Sequence, residues 1–137
     1  MRVLHVIPSI GPLRGGPSAA AMAMVAALRQ QGVDAELLTT DDNGPGRLAD
    51  LPLGRWSQWQ GVPVLAFPRW MPPVGPLREF AYSPGLQRWL GAHLHDYDLL
   101  HVHALAWHVG GAGDGKVHGQ QVVAPVDLHA VAGVVQH

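Results

Sequence analysis

The chain opens with a run that is apolar on both faces, residues 3–7 (VLHVI), with His5 inside it and Pro8 directly after it. A short β-branched run of this kind reads as a central parallel strand, because such strands are covered on both sides. Residues 19–28 are rich in Ala, Met and Leu, Pro17 stands where a first helical turn accepts proline, and Gly32 supplies a left-handed stop. Met22, Val25 and Leu28 recur at three to four residues, so this helix turns an apolar stripe to a sheet, with Arg29, Gln30 and Gln31 at its exposed end. Residues 35–39 (AELLT) follow at once as a second strand, which completes a right-handed β-α-β unit with parallel pairing. The segment 41–60 has loop proportions of Gly, Pro and Asp, yet Trp56 and Trp59 predict a packed excursion instead of free coil. Residues 62–67 (VPVLAF) predict a third strand, in which Pro63 requires an edge position or a late entry into the ladder. Residues 69–83, with Trp70, Arg78 and Phe80, read equally as a loop lining a cleft or a loop packed on the core. Leu86, Trp89, Leu90 and Leu94 at helical spacing predict a helix within 84–95, and residues 96–102 (DYDLLHV) a polar turn entering a fourth buried strand.

This alternation predicts an α/β fold, a Rossmann-like parallel sheet with flanking helices, whose ligand edge lies beyond the carboxyl ends of the strands. That edge collects residues 8–16, 39–43, the loop from Arg69 and residues 101–105. A length of 137 residues leaves room for one core. Hydrophobic residues at 47%, charged residues at 14% and a formal net charge of -1 argue against disorder and against any bulk attraction for nucleic acid or anionic lipid. The absence of cysteine excludes a disulfide framework and a thiolate metal site. No apolar run approaches the ~20 residues that cross a bilayer, and the N-terminus lacks a signal-peptide pattern. A soluble cytoplasmic protein is therefore expected. Every arginine lies at or before Arg88, whereas residues 104–137 carry only Asp114, Lys116 and Asp127 as charges. The chain accordingly divides into a folded unit over 1–105 and a Gly/Val/Ala/His-rich tail over 106–137 that is expected to be poorly ordered.

Gly15 and Gly16 are the first candidates for chemistry. They follow a strand and precede a proline-initiated helix, the context in which side-chain-free backbone and a helix N-terminus approach an anion; the alternative is a plain tight turn. The dinucleotide pattern G-x-G-x-x-G is absent, because Gly11, Gly15 and Gly16 do not have its spacing. Residues 110–116 (GGAGDGK) satisfy G-x-x-x-x-G-K, but Val117 stands where a phosphate loop needs Ser or Thr, so a flexible glycine linker is the better reading. His101 and His103, two apart on one strand, share a face and could seed a metal site with His108, His118, His129 or His137. Without carboxylate or cysteine partners, a histidine pair in a cleft and tail histidines in solvent is preferred, and no metal is expected.

The ordered segments LHVIPSIGPLRGGPS, ALRQQGVDAELLTTDDNGPG, QGVPVLAFPR, PLREFAYSPGLQRWL and YDLLHVHAL resemble the N-terminal, acceptor-side domain of the family 4 retaining glycosyltransferases. The resemblance covers residues 1–105. It implies the GT-B architecture of two facing Rossmann-like domains, and transfer of a sugar from a nucleotide sugar to a glycan or lipid-linked acceptor with retention. It implies no cofactor and no essential metal, the nucleotide sugar being a substrate, and no nucleic-acid partner; peripheral contact with a membrane and the oligomeric state stay open. Carried onto this sequence, Gly15 and Gly16 fall at the donor-phosphate loop, and Arg14, Ser18, His101 and His103 at the acceptor cleft. The residue that would do the chemistry is not identified.

After residue 105 the resemblance implies an alanine-rich helix and a further strand ending in a histidine-bearing loop. Residues 104–137 reproduce neither cleanly, although 122–126 can form a strand and His129 can imitate the histidine. The donor-binding half expected of the family is not in the sequence either. The expectation is thus a fragment, truncated or frame-shifted after residue 105, incomplete as a sheet, inactive alone, and open at the sheet edge beyond its fourth strand. The competing reading is a non-catalytic α/β binding module or a non-functional remnant.

Overall fold

The structure is a computed structural model and describes residues 1–44, 46–69, 83–103 and 121–125, with only the backbone described for Arg14 and for the last of these segments. Among the described residues, eight strands and two helices follow one another as β1 (Arg2–Ser9), α1 (Gly16–Gln30), β2 (Asp34–Thr40), β3 (Asp42–Asn43), β4 (Gly46–Arg47), β5 (Trp56–Trp59), β6 (Val62–Phe67), α2 (Pro84–His93), β7 (Leu99–His103) and β8 (Gln121–Pro125). Single 3-10 turns at Pro12–Arg14 and Leu94–Asp96 lead into α1 and out of α2.

Six strands form one sheet in the order β5-β6-β2-β1-β7-β8, and β3 and β4 form a separate two-stranded ribbon. β6, β2, β1 and β7 are mutually parallel, in the spatial order that a doubly wound sheet takes when its fourth strand crosses over beside its first. The fully parallel sheet read from the sequence is corrected at both edges, since β5 and β8 run antiparallel and the sheet is mixed. For β5 the cause is local. Gln60 and Gly61, at φ 50° and 80°, make a two-residue turn of the kind that returns a strand against its neighbour. The edge expected to lie open beyond β7 is covered, because β8 pairs with it from Leu99↔Pro125 to His103↔Gln121. β8 coincides to within one residue with the strand that 122–126 can form.

Two prolines explain local departures. Pro8 lies inside β1, where the register with β2 shifts between Val6 and Ser9, so its missing N–H falls at a break in the ladder. Pro63 lies in an interior strand, not at an edge. The β2 ladder begins only at Leu37↔Val64, so the proline sits before that pairing.

The sheet is covered on both faces. Val3, Ile7, Ala35, Leu37, Val64 and Ala66 pack with Ala21 and Val25 of α1 on one side; Leu4, Val6, Leu38, Leu65, Leu100 and Val102 pack with Leu90 of α2 and with Leu94 and Tyr97 on the other. Strand alternation therefore puts His5 with Val3 and Ile7, and His101 and His103 with Leu99, all on the α1 side. At the amino edge Tyr97 donates its hydroxyl to Glu36 Oε2, and Arg2 lies over the Tyr97 ring while pairing with Asp34 and Glu36. Burial and the Glu36 carboxylate push the Tyr97 phenol well above its ordinary value. This network closes the end of the sheet remote from the strand carboxyl termini.

Candidate functional site

The carboxyl edge is built outward from β1. Ser9 donates its hydroxyl to the Asp42 carbonyl at 2.7 Å and accepts from Gly11 N at 2.9 Å, and Thr40 donates to the Pro8 carbonyl at 2.6 Å. A Cβ on Gly11 would meet Asn43 Oδ1 at 2.5 Å and the Asp42 carbonyl at 2.8 Å, so only glycine lets the two loops touch there. The chain then makes the 3-10 turn and reaches Gly15, at φ 77° and ψ -143°, a conformation that side-chain-bearing residues rarely adopt. Gly15 is the residue before α1, and no side chain caps the helix there. The first-turn amides are thus available to whatever faces them. Gly15 and Gly16 are both exposed.

Ser18 is buried and donates its hydroxyl to the Ser9 carbonyl at 2.7 Å, which ties the first turn of α1 to the end of β1. Beside it lies a groove of about 780 Å³. Gly15, Gly16 and Ser18 form one wall with Ala19, Met22 and Ala26, and Leu48, Asp50, Trp59 and Gln60 form the other. No Lys or Arg lines it among the described residues. Arg14 belongs to the turn that leads into the groove, with its side chain outside the described residues.

His101 and His103 do not line this groove; they join a separate cluster. Register places His5 opposite His101, and His5 Nδ1 lies 2.9 Å from His103 Nε2. The His101 and His103 rings stack at 4.0 Å between centroids. Burial, followed by the neighbouring imidazoles, lowers His5 to about 3 and His103 to about 4, so both are neutral at pH 7. His5 is the member that sequence reasoning did not place. Its presence inside the first strand was visible, but the strand register that sets it beside His101 is not encoded in any local spacing.

A buried ion-pair cluster was also not anticipated. Arg69, at the end of β6, is 1% exposed; its guanidinium pairs with Asp42 and donates to the Gly44 carbonyl, and its amide donates to Asp41 Oδ1. Arg47 adds a contact to Asp41 at 3.8 Å. The acids that follow β2 are therefore engaged by Arg69 and Arg47, and a ribose-binding carboxylate of the dinucleotide type is not on offer. The glycine-rich 110–116 and the loop 70–82 lie outside the described residues.

No helix among the described residues is long and apolar enough to cross a membrane. Compared with known families, residues 15–134 match the model described as "Glycosyl transferase 4-like domain". The matched range holds Gly15, Gly16, Ser18, His101 and His103, and continues through β8 into the tail. Comparison with curated proteins and with solved structures gives no match.

Proposed function

The chain belongs to the glycosyl transferase 4-like domain family, and on that premise we propose that it is the acceptor-side, Rossmann-like part of a GT-B enzyme that transfers a sugar, with retention, from a nucleotide sugar to a glycan or lipid-linked acceptor. The observation that carries this reading is the make-up of the groove beside Gly15. Its glycine wall and the uncapped start of α1 allow a diphosphate to approach the backbone. Its side chains, however, include Asp50 and no basic residue among those described, so they cannot hold two phosphates against water. An apolar wall with Trp59, Gln60 and Asp50 suits the other partner, a sugar ring that stacks its CH face and donates hydroxyl hydrogen bonds. The division of labour follows. This part seats the acceptor and touches the donor at Gly15 and Gly16, and the charges that hold the nucleotide belong to a facing domain. The transfer itself needs no metal in this reading.

The test is an amide-resolved titration of the isotope-labelled chain with UDP-glucose and GDP-mannose, followed by reconstitution with a donor-binding domain of the same family. Shifts at Gly15, Gly16 and the first turn of α1, and transfer with retained configuration only after reconstitution, are expected. Shifts confined to residues away from this loop, with no transfer after reconstitution, would sink the proposal and favour a non-catalytic binding module.

A further inference from the structure

Three imidazoles converge on the α1-side face of the sheet where β1 and β7 pair. The pairing sets His5 beside His101, and the two-residue period of β7 adds His103 on the same face. All three are buried, and one ligating nitrogen from each lies within 4.8 Å of the others. His5 Nδ1 and His103 Nε2 are already 2.9 Å apart. Two nitrogens on one tetrahedral ion at ~2.0–2.1 Å stand about 3.3 Å apart, so this pair needs almost no movement. His101 stacks on His103 with 4.0 Å between ring centroids, which keeps the third imidazole within reach of the same point.

We propose that His5, His101 and His103 form a three-histidine site for a first-row transition-metal ion of the zinc class. Imidazole nitrogens select such ions over magnesium and calcium. Among the described residues no carboxylate belongs to the cluster, so a water or a small anion completes the coordination. The ion cross-links β1 to β7, the two strands between which the strand order reverses. Its role is structural and independent of sugar transfer.

The probe is Co2+, added to the full chain after treatment with chelator. One ion per chain, the visible absorption of tetrahedral nitrogen ligation, and a rise in melting temperature are expected, with Mg2+ giving none of these. His5→Gln and His103→Gln should each weaken Co2+ binding by at least ~10-fold, since loss of a ligand costs no less than loss of the groups that support one. A variant with His118→Gln, His129→Gln and His137→Gln together should bind as the unsubstituted chain does. Binding that survives His5→Gln but disappears in the triple variant would assign the ion to the tail and overturn the site, as would the absence of the tetrahedral spectrum. Should His5→Gln fail to fold, the unsubstituted chain decides: hyperfine-shifted resonances from three imidazoles support the site, and their absence with Co2+ present refutes it.

Discussion

His5 and His103 face one another as buried neutral imidazoles, and this fixes the sign of a pH effect. Their protonation falls from the ordinary value of 6.5 to about 3 and about 4 in the folded chain, whereas the unfolded chain takes up these protons near 6.5. The unfolded state therefore binds more protons throughout that interval. Their contribution to stability is complete above pH ~6.5 and is lost progressively as the pH falls toward ~4. Urea unfolding in the presence of chelator should show a midpoint that declines over this interval, with a shallower decline in His103→Gln; a midpoint independent of pH would contradict the buried neutral pair. At this scale the residue types were legible and their partners were not. His101 and His103 announced a shared face by their spacing, but His5 is 96 positions from its neighbour in register. Likewise Arg69 and Asp42 meet only because β2 and β6 end side by side.

The loop between β1 and α1 separates two glycines that look equivalent in sequence. Gly15 has a positive φ, whereas Gly16 begins the helix, and a Cβ on either would meet nothing within 4 Å. Gly15→Ala should therefore cost about 1–3 kcal/mol by backbone strain alone. Gly16→Ala should leave stability within about 0.5 kcal/mol. Thermal melts check both values. Because Gly16→Ala keeps the fold, a weakened nucleotide-sugar response in that variant reports on ligand approach; an unchanged response would remove Gly16 from the site. The elements around this loop were readable because their signals are local: the β-branched run of β1, the alanine-rich α1 with its proline and Gly32, and the leucines of α2. β5 was hidden because WSQW alternates too briefly to register a period and its turn uses a left-handed glutamine. β3 and β4 span two residues each, below what any pattern can reveal.

One edge of the sheet is closed by a strand from the segment whose composition departs from the rest of the chain. Residues after 104 lose the charge pattern of the preceding chain, and the periodicity there was too weak to place anything beyond a short strand, yet β8 covers the outer edge of β7 and lies within the range matched to the family. Ending the chain at His103 should uncover that edge. The shortened chain is expected to bind a hydrophobic dye and to sediment as aggregate at concentrations where the full chain does not. Equal dye binding by both would mean that β8 protects nothing. The groove, by contrast, assembles from three separated stretches, the α1 start, residues 48–50 and the β5–β6 turn, so its shape follows from tertiary packing and not from any motif.

The position of β1 at the centre of the sheet also imposes an order in time. β1 pairs with β2 at Val3↔Ala35, and with β7 at Val3↔Leu99. During synthesis the first pairing becomes available early, while the second waits for the ~60 further residues between β2 and β7, roughly 3–12 s at ~5–20 residues per second. Through that interval the nascent β1-α1-β2 unit holds His5 and the outer edge of β1 in water, while β6 can already cover the outer edge of β2. The arrival of β7 then carries His101 and His103 onto β1, and β8 follows it onto the outer edge of β7.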